Sequence, residues 1–95
     1  METKSLLHHV SLPVNDLTRS AALFDAALGA LGYSRVSSGT HFVGYGVVKD
    51  QDKFALMQTA QAQSCGPGLH IAFSAPTRAA VDIFHRLALE SGGRD

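Results

Sequence analysis

Residues 7–17 read LHHVSLPVNDL, and two periodicities meet in them. From Leu7 to Val14 the residues alternate as a strand requires. His8, Val10, Leu12 and Val14 form one face; Leu7, His9, Ser11 and Pro13 form the other. The even face is the apolar one and is expected to meet the core. Asn15-Asp16 then supplies a side-chain acceptor for the first free amides of a helix. Behind it Leu17, Ala21, Phe24, Leu28 and Leu31 recur at steps of four, three, four and three, an amphipathic stripe that Gly32 is placed to end.

Working outward, three short strands follow: Ser34 to Ser38, His41 to Val48 after a Ser-Gly turn, and Lys53 to Thr59 after the polar run 49–52. Gly44 and Gly46 punctuate the second of these and read as a bend. Residues 61–67 form a small polar linker. Then the opening returns: GLHIAFSAPTRAAVDIFHRLAL, residues 68–89, repeats the logic of LLHHVSLPVNDLTRSAALFDAAL, residues 6–28. His70 to Ala75 sits over His9 to Val14, and Thr77 takes the capping place of Asp16. Val81, Phe84 and Ala88 continue an apolar stripe. Leu69, Ile71 and Phe73 form the apolar face, His70, Ala72 and Ser74 the small polar one. The expected fold is α+β: a βαβββ module over residues 6–60, then an incomplete second module (βα) over 68–93, with a mixed curled sheet and helices on its outer face. Residues 1–95 make a single domain of modest size. A repeat period of about sixty residues implies three more strands. The chain is therefore expected to be a truncated form, or to complete its sheet by association, because an open edge beside an apolar face invites pairing.

Lys and Arg number 8 and Asp and Glu 8, scattered along the chain, which gives no electrostatic case for nucleic acid or an anionic membrane surface. No apolar stretch of signal-peptide length follows the first five residues, and Asp25 in the most apolar helix rules out a bilayer span there. Cys65 stands alone, which excludes an intrachain disulfide and suits a reducing cytoplasm; beside Gly66-Pro67-Gly68 it reads as a loop residue.

Of the opening histidine pair, His9 is the better functional candidate, because His8 shares the face that Val10, Leu12 and Val14 bury. A single strand histidine is usually structural or solvated. Two at matching positions of an internal repeat differ, since a pseudo-two-fold arrangement brings equivalent positions together; His9 and His70 can then converge on one metal ion. A third ligand is harder to find. The stretch KFALMQT, residues 53–59, offers no carboxylate, and Gln58 only a weak amide oxygen. Asp50 and Asp52 lie in a turn, and Glu90 reads as a solvated charge. His41, Val43, Tyr45 and Val47 share a strand face; were it the concave one, Tyr45 and His41 would touch a ligand. Ser11 and Ser74 lie on the same faces as His9 and His70 and are candidate substrate contacts, though neither has a base and orienter for nucleophilic catalysis. His85, beside Arg86, is expected to face solvent.

The stretch HHVSLPVNDLTRSAALFDAALGALGY, residues 8–33, resembles the opening of the glyoxalase/bleomycin-resistance/extradiol-dioxygenase group, the vicinal oxygen chelate superfamily. GLHIAFSAPTRAAVDIFHRL, residues 68–87, resembles that group's second repeat. The resemblance implies paired βαβββ modules curling into a cup around a divalent metal: iron, manganese, nickel or zinc. It places His9 as the first-strand ligand and His70 as the first ligand of the second module. Glyoxalase I-type members carry a glutamate on the fourth strand where Ala55 stands here, which speaks against lactoylglutathione lyase activity. Members with two histidines and one glutamate take that glutamate from a last strand that would lie beyond Asp95. The leading expectation is a metal-dependent enzyme, lyase- or dioxygenase-like, on a small molecule that chelates the metal through two adjacent oxygens. The alternatives are a metal-free ligand-binding protein of the bleomycin-resistance type and a self-associating fragment without activity. The partners expected are a small molecule and a second copy of the chain. Sedimentation at rising protein concentration checks the second: association growing with concentration is expected, and a monodisperse, cooperatively folded monomer is the contrary result.

Overall fold

Asp16 takes the capping role that its position predicts. Its carboxylate accepts the Arg19 amide at 3.1 Å, and helix α1 (Leu17–Gly29) begins there. The computed structural model describes residues 6–62 and 66–95. Past the last helical residue, Gly32 adopts φ +93 while its N–H donates to the Gly29 carbonyl and the Tyr33 N–H to that of Leu28, a Schellman ending that needs a left-handed residue. Helix α2 (Arg78–Glu90) is built alike. The Thr77 hydroxyl accepts the Ala80 amide at 3.1 Å. Gly92, at φ +104, closes the other end with N–H bonds from Gly92 to Leu89 and from Gly93 to Ala88. Both helices have 13 residues, so the internal repeat extends to the caps at either end.

Among the described residues four strands make one mixed sheet: β1 (Val10–Val14), β2 (Ser34–Ser38), β3 (Phe42–Gly46) and β4 (Phe54–Gln58), in the order β1-β4-β3-β2. β1 runs parallel to β4 and the other pairs are antiparallel. The Val10 amide donates to the Lys53 carbonyl, and the Val14 carbonyl accepts from Thr59. Alternate residues of a strand bond opposite neighbours, so Ser11 and Pro13 turn their backbone groups to the open edge. Pro13 has no N–H to offer there, which blunts that edge as a pairing template.

Helix α1 buries Leu17, Ala21 and Leu28 against Val43, Tyr45, Phe54 and Leu56. Leu12 and Val14 join them from the apolar face of β1. The even face thus meets the core as its alternation implies. Asp25 interrupts the apolar helix for a reason. Its carboxylate accepts the Tyr45 hydroxyl at 2.8 Å and the Arg35 guanidinium through two bonds of 2.8 and 2.7 Å, tying α1 to β2 and β3. Arg35, aided by the Tyr45 hydroxyl, holds the Asp25 carboxyl below its ordinary range despite partial burial. Burial and then the Asp25 carboxylate push the Tyr45 phenol well above its own.

On the opposite face of the sheet, a Cβ added at Gly44 would collide with Ser37 Oγ and stand 2.6 Å from Asp52 Cβ; at Gly46 it would stand 2.8 Å from the Gln51 carbonyl oxygen. The loop after β3 folds back over the strand. The two glycines therefore serve close approach rather than the bend expected of them.

Residues 70–75, expected as a strand, form none: among the described residues no strand pairs with them. A strand needs a ladder partner, and no described element stands to this segment as β4 stands to β1. Its expected parity holds for Ile71 and Phe73, half-buried between exposed His70, Ala72 and Ser74, whereas Leu69, expected on the same face, is exposed. Side chains hold it. Phe73 meets Phe54 edge-on at 5.1 Å between centroids and Phe84 of α2 at 6.3 Å, and the Tyr33 hydroxyl donates to the Ser74 carbonyl at 2.8 Å. α2 lies against α1 and buries Ala80, leaving Val81, Ile83 and Leu89 exposed. Cys65 lies outside the described residues. No described helix is long and apolar enough to cross a membrane.

Replacing Tyr45 by Phe removes a hydrogen bond to a carboxylate that Arg35 still holds, so unfolding should become easier by about 1–2 kcal/mol. Because the Asp25 carboxyl is lowered in the folded state, its contribution is present above the ordinary carboxylate range and fades as pH falls through the lowered folded value. Urea melts of both proteins at neutral and acid pH check this: the gap between them should narrow in acid. Gly44→Ala should cost about 1–3 kcal/mol by the same measurement, through overpacking against Ser37 and Asp52.

Candidate functional site

The parallel pairing of β1 and β4 sets Lys53 against the start of β1, where its carbonyl accepts the Val10 amide at 3.0 Å. The segment 69–74 crosses the same end of the sheet, seated by Phe73 and by the Ser74 carbonyl. Between them opens a cleft of about 670 Å³. Leu28, Tyr45, Phe54 and Phe73 give it an apolar, ring-lined floor, while His8, His9, Lys53 and His70 supply polar groups. The sequence expected His8 to share a buried face. Instead the chain leaves strand geometry before Val10, and His8 is exposed and lines the cleft too. The Nδ1 atoms of His8 and His9 lie 2.8 Å apart, so one ring donates to the other and each keeps Nε2 as its remaining polar atom.

The other candidates divide. Ser74 lines the cleft. Tyr45 reaches its floor, but only 2% of it is exposed: its face of β3 is the one packed on α1, and its hydroxyl is held by Asp25. His41 is exposed and lies at the far end of the sheet, where its carbonyl accepts the Gln58 amide at 2.7 Å. Ser11 is exposed on the open edge of β1, outside the cleft lining. The Gln58 side chain, weighed as a ligand, accepts the Leu17 amide at 3.1 Å and so serves the start of α1. Sequence reasoning missed Lys53 and Tyr33. Their places follow from a pairing between residues far apart in the chain, and no local pattern marks them.

A divalent metal, which the fold resemblance implies, fits the cleft poorly. Among the described residues no three His, Cys, Asp or Glu side chains come together to hold one. Among the described residues the lining contains three histidines and no carboxylate, and the positive charge of Lys53 disfavours a cation beside it. Ala55, in the place of the family glutamate, is buried at 3% exposure.

Solved structures resemble the chain over most of its length. A glyoxalase/bleomycin resistance protein from Albidiferax ferrireducens T118 superposes with a TM-score of 0.80 at 28% identity, covering 93% of this chain and 73% of that one. A candidate glyoxalase from Bacillus halodurans gives 0.65 at 29% identity, covering 94% of this chain and 71% of that one. No protein-family profile and no curated protein matches the sequence. The chain has the glyoxalase/bleomycin resistance fold, a βαβββ unit joined to the opening of its repeat, and its resemblance to the vicinal oxygen chelate superfamily stands.

Proposed function

We propose that this chain is a small-molecule binding domain of the bleomycin-resistance kind, taking its ligand in the cleft between the end of the sheet and the segment 69–74, with His9, His70 and Ser74 as contacts. The observation that supports this is the lining itself, in which the repeat-related histidines share one cleft with apolar rings and, among the described residues, no acidic group. The metal-dependent reading, a lyase- or dioxygenase-like enzyme using iron, manganese, nickel or zinc, draws its support from the same two histidines but lacks a third donor among the described residues. A carboxylate from a second copy of the chain would complete such a set. Self-association is supported by Leu69, Val81 and Ile83, which stand exposed.

Elemental mass spectrometry after dialysis against the four metals separates the two readings. Metal well below one ion per chain is expected, and binding of a small aromatic probe should be unchanged by EDTA. One tightly held ion per chain, lost in both His9→Ala and His70→Ala, would overturn the binding reading in favour of the enzyme.

A further inference from the structure

The cleft is one-sided in charge. Lys53 and three histidines line it, and among the described residues no Asp or Glu does. Two carboxylates on neighbouring elements are engaged elsewhere: Asp25 is held by Arg35 and Tyr45, and Asp52 packs over Gly44 on the opposite face of the sheet. Lys53 has no ion-pair partner among the described residues. Lys53 shares that lining with Phe54 and Phe73, and beside an apolar floor water screens charge less, so an anion is attracted more strongly than at an open surface. At the mouth Leu7, Val47 and Val48 are exposed by 66%, 73% and 52%, apolar area that the body of a ligand would cover. The site has no arginine fork and no helix N-terminus lines it, so it is poorly made for a phosphate and better suited to a single negative charge.

Resting on the binding reading above, we infer that the cleft takes a small aromatic carboxylate. Its rings lie against Phe54 and Phe73, and its charge is met by Lys53 with the imidazoles of His9 and His70. The volume of about 670 Å³ accommodates a molecule of that size.

Calorimetric titration of the whole chain with 2-naphthoate and with the neutral 2-naphthalenemethanol, at neutral pH and low salt, tests this. Naphthoate should bind about tenfold more tightly, as one charge-assisted contact implies. Lys53→Met should abolish that preference, the two probes then binding alike. Lys49→Met, which removes the same charge outside the cleft, should preserve it. Circular dichroism verifies that both variants are folded. Equal binding of the two probes to the unmodified chain would overturn the anion inference and leave the cleft as a ligand site. Preference surviving in Lys53→Met would overturn the assignment to Lys53. Failure of both probes to bind would overturn the inference and the binding reading together.

Discussion

A chain of aromatic rings holds the two units together. Phe24 of α1 lies 5.0 Å from Phe54 of β4, Phe54 lies 5.1 Å from Phe73, and Phe73 lies 6.3 Å from Phe84 of α2. Each such pair contributes about 0.5–1.5 kcal/mol beyond the area it buries. The segment around Phe73 depends on that contribution, because no sheet ladder fixes it; its side chains and the Tyr33–Ser74 hydrogen bond set its position. The cleft is what remains between this segment and the end of the sheet. Its shape therefore follows from packing, and from Phe54 above all, which belongs at once to the core of the first unit and to the junction with the second.

What the sequence made legible was local or periodic. The N-caps at Asp16 and Thr77 and the turn at Gly32 involve residues within one helical turn of each other, and the structure forms all three. The apolar stripe of α1 and the parity of β1 were equally readable, because period alone decides which side chains share a face. The strand faces of β3 were not. His41, Val43, Tyr45 and Val47 alternate with Phe42, Gly44 and Gly46, both sets read as sheet residues, and only the docking of α1 shows that Tyr45 faces inward. Its partner Asp25 lies on a different element, and nothing local links the two. The segment 70–75 shows the converse: its pattern is that of a strand and its apolar residues do pack inward, but strand structure requires a partner that local pattern cannot supply.

The candidate site repeats that division. His9 and His70 were found by comparing the chain with itself, and the structure sets both in one cleft. Lys53 was not found, since its place at the start of β1 arises from a parallel pairing across the sheet. That residue changes the chemistry that the site suggests. Two imidazoles alone invite a metal, whereas the same imidazoles beside an ammonium and without a carboxylate invite an anion. Fold likeness to glyoxalase/bleomycin resistance proteins is compatible with either, because a fold hosts several functions and the side chains of the site choose among them.

The central claim is that the second unit rests on the first through Phe73 and Phe54 and so creates the cleft. The most direct measurement is a nuclear Overhauser spectrum of the chain in solution with selectively labelled phenylalanines. Cross-peaks from the Phe73 ring to the Phe54 ring, together with rapid amide exchange over residues 70–75, are the predicted result. A Phe73 ring without contact to Phe54, or amides in that segment protected as firmly as those of β4, would contradict it.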